Sequence, residues 1–278
     1  MPIAILHDGA TIDVQVHGEG PNLLLPVNPE PAEEGPAAQA MREWGGDPSL
    51  GHSLISGLSA EFRVVAFDYE AHVMAHPKTL TPDNLAHDLL AVADAVNAES
   101  FGYYGYSWLA LSGMQLALRT RRCAALVMGG YPPIGGPYAE MLEVTRASYR
   151  LAVEERDAPP RGPVEVGDWD NVSVGASPEQ AGQFLALYES LQDFDDVAAQ
   201  DRLGCPRLCF AGSADVIDYS PKWGGVRVDI AGPLVQRRTE LEKFGWEVHV
   251  FDGLDHMAAM RAERVVPLIR PWLAGKLR

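Results

Sequence analysis

Long apolar runs are missing from this chain: none approaches the roughly 18 residues that a bilayer-crossing helix needs. The first residues, Met1-Pro2-Ile3-Ala4-Ile5-Leu6-His7-Asp8, carry neither a basic stretch nor an extended apolar core of the kind a secretory signal requires, so a cytoplasmic location is expected. Positive charge is scarce, with 22 Lys and Arg against 38 Asp and Glu and a formal net charge of −16. Such a field repels phosphate backbones and anionic lipid, which argues against nucleic-acid and membrane partners and leaves a small molecule as the expected one; self-association into a homo-oligomer is not determined by composition. Cysteine is also sparse. Of Cys123, Cys205 and Cys209, the last two flank a strand-like run whose rise of about 3.3 Å per residue holds them too far apart to bridge, so reduced structural thiols are expected. No further Cys or His lies near that pair at zinc-ligand spacing, and neither a metal nor an organic cofactor is expected. Internal repeats and low-complexity tracts are absent.

What is present suits a globular chain of 278 residues, with 47% hydrophobic and 22% charged residues, long enough to bury a large core. Two short strands around Ala4–Leu6 and Ile12–His17 suggest an opening hairpin turned at Asp8-Gly9. Asn22–Val27 is a short buried strand running into Asn28-Pro29-Glu30-Pro31, and Phe62–Asp68 is a central strand closed by an acid. Thr81-Pro82 opens an amphipathic helix that reaches Asn97. Strand-like 101–106 passes abruptly into helix-like 108–118, and a strand over 124–128 follows. Residues 137–200 are helical and acidic, broken by a Pro/Gly-rich loop over 157–175, and suggest a helical lid inserted into a core formed by 1–136 and 201–278. Alternation then resumes with a strand at 206–212, a helix near 234–244, a strand at 246–251 and a final helix over 265–277. Strands alternating with helices predict an α/β fold, a mostly parallel twisted sheet with helices on both faces.

Four Gly-x-Ser triplets occur, ending at Ser53, Ser59, Ser107 and Ser177, so the triplet alone selects nothing. No strand precedes Ser53, and Ser177 before Pro178 is a helix cap. Only Ser107 stands where an apolar strand ends and a helix begins, which sets a hydroxyl at the carboxyl edge of a parallel sheet. Gly105-Tyr106-Ser107-Trp108-Leu109-Ala110 resembles the nucleophile elbow of the α/β-hydrolase superfamily, and the order of elements resembles that family along nearly the whole chain. The resemblance departs at Leu109, where the family places a second small residue.

A serine hydroxyl needs a base to take its proton, and the resemblance implies a histidine after the last strand, which is His256 in Asp252-Gly253-Leu254-Asp255-His256. Ala211-Gly212-Ser213-Ala214-Asp215 resembles the family's acid turn and makes Asp215 the orienting carboxylate, with Asp218 as the alternative. Gly129-Gly130-Tyr131, at the other position the family uses, offers no acid. The resemblance also implies backbone donors to an oxyanion from Trp108 and from the loop after Leu25, where Pro26-Val27 replaces the usual His-Gly and Asn28 is the expected donor, Val27 being the other amide available. Tyr106, Tyr131, Trp169, Tyr219 and Trp223 are candidates to line an apolar pocket. The activity so implied is hydrolysis of an uncharged, moderately apolar ester or lactone through an acyl-serine. Thioester or carbon–carbon bond cleavage by the same triad, and a non-catalytic binding module on the same fold, are the alternatives.

Overall fold

A computed structural model describes residues 1–157 and 175–277. The strands run in chain order as β1 (Ile3–Ile5), β2 (Thr11–Asp13), β3 (Gln15–His17), β4 (Asn22–Leu25), β5 (Arg63–Ala66), β6 (Phe101–Tyr106), β7 (Cys123–Gly129), β8 (Arg207–Gly212), β9 (Val216–Asp218), β10 (Arg227–Asp229) and β11 (Trp246–Phe251). Seven of them form one sheet in the order β11-β8-β7-β6-β4-β5-β3, parallel throughout except for the antiparallel edge pair β3 and β5. β1 pairs with β2, and β9 with β10, as separate antiparallel ribbons. The expected strand at 12–17 is therefore two strands. Fully buried Val14 interrupts it and donates its N–H to Pro2, so the chain leaves the ribbon and reaches the sheet edge as β3.

The helices are α1 (Pro36–Glu43), α2 (Leu50–Leu58), α3 (Tyr69–Ala75), α4 (Pro82–Ala95), α5 (Trp108–Ala117), α6 (Tyr138–Glu154), α7 (Pro178–Ser190), α8 (Asp196–Ala199), α9 (Ala231–Gln236), α10 (Arg238–Lys243), α11 (His256–Ala259) and α12 (Ala262–Lys276). α4 starts as its sequence dictates, with Pro82 in the first turn and Thr81 Oγ1 accepting the Asn84 N–H. The single helix expected near 234–244 is divided at Arg237 into α9 and α10. Among the described residues no helix is long and apolar enough to cross a membrane.

Side chains alternate across the sheet, as the period of two requires. Leu24, Val65, Tyr103, Leu126, Met128 and Cys209 enter a core on one face together with residues of α4 and α5. Leu23, Leu25, Val64, Tyr104, Val127 and Phe210 enter a second core on the other face with residues of α2 and α12. Helices on both faces leave the carboxyl ends of the parallel strands as the open edge, which is where such sheets hold their sites. Between β7 and β8 the chain leaves the sheet, and α6 and α7 pack against each other in that excursion. Its return is tethered: Asp196 Oδ2 accepts the N–H groups of Gly135 (2.8 Å) and Gly136 (3.0 Å).

The β1–β2 ribbon is held by one buried carboxylate. Asp88 on α4, 2% exposed, accepts the His7 backbone N–H (2.7 Å), the His7 ring Nδ1 (2.9 Å) and the Tyr69 hydroxyl (2.8 Å). Replacing it leaves several buried donors without a partner, which costs far more than one ordinary hydrogen bond. Asp88→Ala is expected to lower the unfolding free energy by about 2–4 kcal/mol in a urea titration, whereas Asp83→Ala on the exposed side of α4 should cost under about 1 kcal/mol.

Candidate active site

Ser107 sits at the turn between β6 and α5 with φ 57° and ψ −130°, a positive-φ conformation that a residue with a side chain adopts only when its surroundings enforce it. Two constraints enforce it. The Ser107 N–H is held by the Gly129 carbonyl at 2.8 Å, and the first turn of α5 lies against β6 so closely that a Cβ on Gly105 would stand 2.3 Å from the Leu109 carbonyl oxygen. Leu109 itself turns into the core, and its carbonyl accepts the Tyr103 hydroxyl at 2.8 Å. The smallness needed further along α5 is supplied by Gly113, whose Cβ would strike the Tyr103 ring at 2.3 Å.

Asp215 and His256 follow β8 and β11, which are neighbours in the sheet. Their loops are stitched together: Ser213 N–H to the Phe251 carbonyl (2.8 Å), Ala214 N–H to the Leu254 carbonyl (3.0 Å) and Gly253 N–H to Ser213 Oγ (2.8 Å). Gly212 permits the approach, since a Cβ there would lie 1.9 Å from the Leu254 carbonyl oxygen. Both Asp215 carboxylate oxygens face His256 Nδ1, at 3.0 and 2.9 Å, and the carboxylate is fully buried while the ring keeps 21% of its surface open. That contact fixes the proton on Nδ1 and leaves Nε2 as the ring's acceptor. Tyr106 backs the ring: its hydroxyl donates to the His256 carbonyl at 2.8 Å, and burial, reinforced by the nearby Asp215 charge, raises its pKa well above the usual phenol value.

The pair Gly129-Gly130, which offers no acid, has a spatial role that sequence alone does not disclose. A Cβ on Gly129 would meet the Phe210 and Tyr106 rings at 2.5 and 2.6 Å, and one on Gly130 would meet Tyr106 at 2.6 Å and His256 Cε1 at 3.0 Å. Gly130 also has φ +62°. Two adjacent glycines at a strand end are the signal for such a close approach, although they do not say which rings approach.

Ser107, Trp108, His256, Tyr131 and Tyr219 line one cavity of about 700 Å³. Phe184, Met74, Met257 and Trp44 line it as well, and none of them was a sequence candidate because each lies on an element with an ordinary helical or loop pattern. The Trp108 ring is wedged by Phe184 edge-on at 5.3 Å and by Tyr69 at 6.1 Å. Burial raises the pKa of Tyr131 and Tyr219, so both phenols are neutral donors at the wall. Tyr106 lies behind the histidine rather than in the lining, and Trp223 is buried beside α6 with the Lys222 ammonium 5.2 Å from its ring centroid. Trp169 lies outside the described residues. Asn28 is exposed, is not among the lining residues, and its side-chain oxygen accepts the Glu30 N–H at 3.0 Å. The Val27 N–H is already engaged by the Leu25 carbonyl at 2.9 Å. Asp218 is on β9, exposed and paired through both oxygens with Arg227 at 2.9 Å, so it does not reach the histidine's Nδ1 position that Asp215 occupies. Among the described residues no cluster of three or more His, Cys, Asp or Glu is placed to share a metal ion.

Gly130→Ala tests the packing around the histidine. The substitution combines an unfavourable positive φ with two ring contacts, and a destabilisation of about 1–3 kcal/mol is expected by thermal unfolding. Gly253→Ala, which has a positive φ but open space around it, should cost about 1 kcal/mol.

No family model matches the chain, and no curated protein sequence matches it. Solved structures do. The enol-lactonase from Burkholderia xenovorans LB400 is similar with a TM-score of 0.61 at 20% identity, over 98% of this chain and 99% of that one. A thermophilic esterase from Thermogutta terrifontis has a TM-score of 0.62 at 17% identity, over 100% and 99%. A bromoperoxidase from Bacillus anthracis has a TM-score of 0.59 at 16% identity, over 98% of both chains. The sheet order, the strained serine turn and these full-length likenesses together identify the architecture: the chain has the α/β-hydrolase fold.

Proposed function

We propose that the chain is a serine hydrolase in which Ser107 is the nucleophile, His256 the general base and Asp215 the residue that orients it. The observation that carries this reading is the buried carboxylate addressing His256 Nδ1 through both oxygens, with the ring and Ser107 lining one cavity. A buried carboxylate aimed at a histidine whose far nitrogen is free is the arrangement that general-base catalysis requires. Among the described residues no hydrogen bond joins Ser107 Oγ to the ring. Such contacts are commonly long before substrate closes them.

In the reaction, Oγ of Ser107 attacks the substrate carbonyl carbon while Nε2 takes the hydroxyl proton. The imidazolium that forms is held by Asp215, then gives its proton to the departing oxygen, leaving an acyl-serine. Water, deprotonated by the same nitrogen, releases the acid and restores Ser107. Trp108 is the first residue of α5, so its N–H has no intrahelical acceptor and suits the developing oxyanion. Neither amide of the loop after β4 is supported as the second donor, because Asn28 lies outside the cavity lining and the Val27 N–H is bonded to the Leu25 carbonyl.

The substrate proposed is an uncharged, moderately apolar ester or lactone. Aromatic and methionine side chains dominate the wall, the volume of about 700 Å³ suits a molecule of drug-like size, and the −16 charge of the chain opposes an anionic one. The enol-lactonase and the esterase among the similar structures agree with that class. The helical excursion over 137–200 is proposed as the lid of this pocket, since Met141, Val144 and Phe184 of its helices form part of the wall.

A fluorophosphonate probe is expected to label Ser107 and no other serine by peptide mass spectrometry, and labelling that persists in Ser107→Ala would remove the nucleophile assignment. On an ester the protein turns over, Ser107→Ala should reduce kcat by roughly 10⁶-fold. Asp215→Asn should reduce it by about 10³–10⁴-fold. Asp218→Asn should change it by less than about threefold, because that carboxylate serves a surface ion pair.

A further inference from the structure

The opposite end of the sheet holds a second pocket, of about 340 Å³, lined by Cys123, Cys205, Arg119, Arg121 and Arg202 among others. Cys123 starts β7 and Cys205 lies just before β8, so both occupy the amino ends of parallel strands whose carboxyl ends face the cavity of Ser107. Seven residues of β7 separate the two ends by about 20 Å. Cys205 and Cys209, which a strand's rise already keeps apart, do not share this pocket. Cys209 is fully buried within β8, and Cys205 instead shares this pocket with Cys123, whose thiol donates to the Ala125 carbonyl at 3.5 Å. All three thiols are free.

The two thiols differ in exposure. Cys123 is buried and Cys205 is partly open to the pocket. The neighbouring Cys123 thiol lowers the pKa of Cys205 below the usual thiol value; partial burial opposes this and the Arg207 guanidinium assists it. Around them the charge is opposite to that of the molecule as a whole. Arg119 is paired with Asp83 at 2.6 Å, but Arg121 and Arg202 are exposed and form no ion pair among the described residues. In a chain of net charge −16, two unpaired guanidinium groups beside a polarised thiol form a local attractor for anions.

We propose that this pocket is a thiol-exchange site for small disulfides bearing carboxylates, with Cys205 as the attacking sulfur and Cys123 as its resolving partner. The Cys205 thiolate attacks one sulfur of the bound disulfide, forming a mixed disulfide and releasing one small thiolate. Cys123 then gives its proton to that thiolate and attacks Cys205 Sγ, closing the Cys123–Cys205 disulfide and releasing the second small thiolate, which takes from water the proton that Cys205 gave up on ionising. Two protein thiols are oxidised and one small disulfide is reduced to two thiols, with no other co-reactant. The residues involved are distinct from those assigned to ester hydrolysis, so either assignment stands or falls without the other.

The full chain is incubated separately with oxidised glutathione (anionic), hydroxyethyl disulfide (neutral) and cystamine (cationic), quenched in acid and mapped by non-reducing peptide mass spectrometry. Oxidised glutathione is expected to give a Cys123–Cys205 cross-linked peptide and an intact mass lower by two hydrogens, with Cys209 unmodified. Arg121→Gln combined with Arg202→Gln should slow that reaction roughly tenfold and leave the cystamine reaction no slower. Cys205→Ser, or Cys205→Ala if the serine variant loses its far-ultraviolet circular dichroism, should leave Cys123 unmodified. Absence of the cross-link in folded protein, a mixed disulfide on Cys205 that never resolves, or equal rates with all three disulfides in both proteins would each overturn the proposal.

Discussion

A carboxylate without exposed surface is costly wherever it occurs, and Asp215 is tolerated only because a hydrogen-bonded partner meets it. That partner, His256, arrives from a segment about forty residues later and must be delivered to within a few tenths of an ångström. The delivery is done by backbone. Three hydrogen bonds bind the turn after β8 to the loop after β11, and Gly212 lets one pass directly over the other. The parallel pairing of β8 with β11, residue for residue from Arg207 to Gly212, brings the two loops out side by side. The sheet therefore sets the coarse position, the stitched loops set the fine one, and the glycines at 129 and 130 leave the volume that the histidine and the Tyr106 ring then fill.

Legibility in the sequence followed the range of the forces involved. β6, α5 and α4 are announced by local pattern: an apolar run that stops at Ser107, or a Thr-Pro start followed by helical spacing. Ser107 could be singled out because it directly follows a strand whose pattern is clear, and Asp215 and His256 because the loops after β8 and β11 resemble the family's acid turn and histidine loop. The short α3, in the histidine-containing stretch after Asp68, and the β9–β10 ribbon were not visible, since three-residue strands and a two-turn helix carry too little periodicity to separate from loop. The break at Val14 and the divided helix at Arg237 arise from tertiary contacts and turn geometry that no window of neighbours contains. Leu109, a departure when viewed as a motif, is accommodated because its side chain enters the core and the close approach to the strand is made by Gly105. The amide of Asn28 is named by the family resemblance, but its placement outside the cavity lining depends on the path between Pro26 and Pro29.

The two ends of the parallel strands have opposite chemical character. Rings, methionines and a serine gather at the carboxyl ends, whereas arginines and two thiols gather at the amino ends.

The tether from Asp196 to the amides of Gly135 and Gly136 closes a loop of about sixty residues at its base. Loop-closure entropy rises only logarithmically with length, by about 0.6 kcal/mol per doubling, so once the base is fixed the span above it is nearly free to change in size. For protein engineering this makes the excursion a replaceable cassette: its helices can be exchanged to admit differently shaped molecules while the tethered stem keeps the graft from straining the strands beneath.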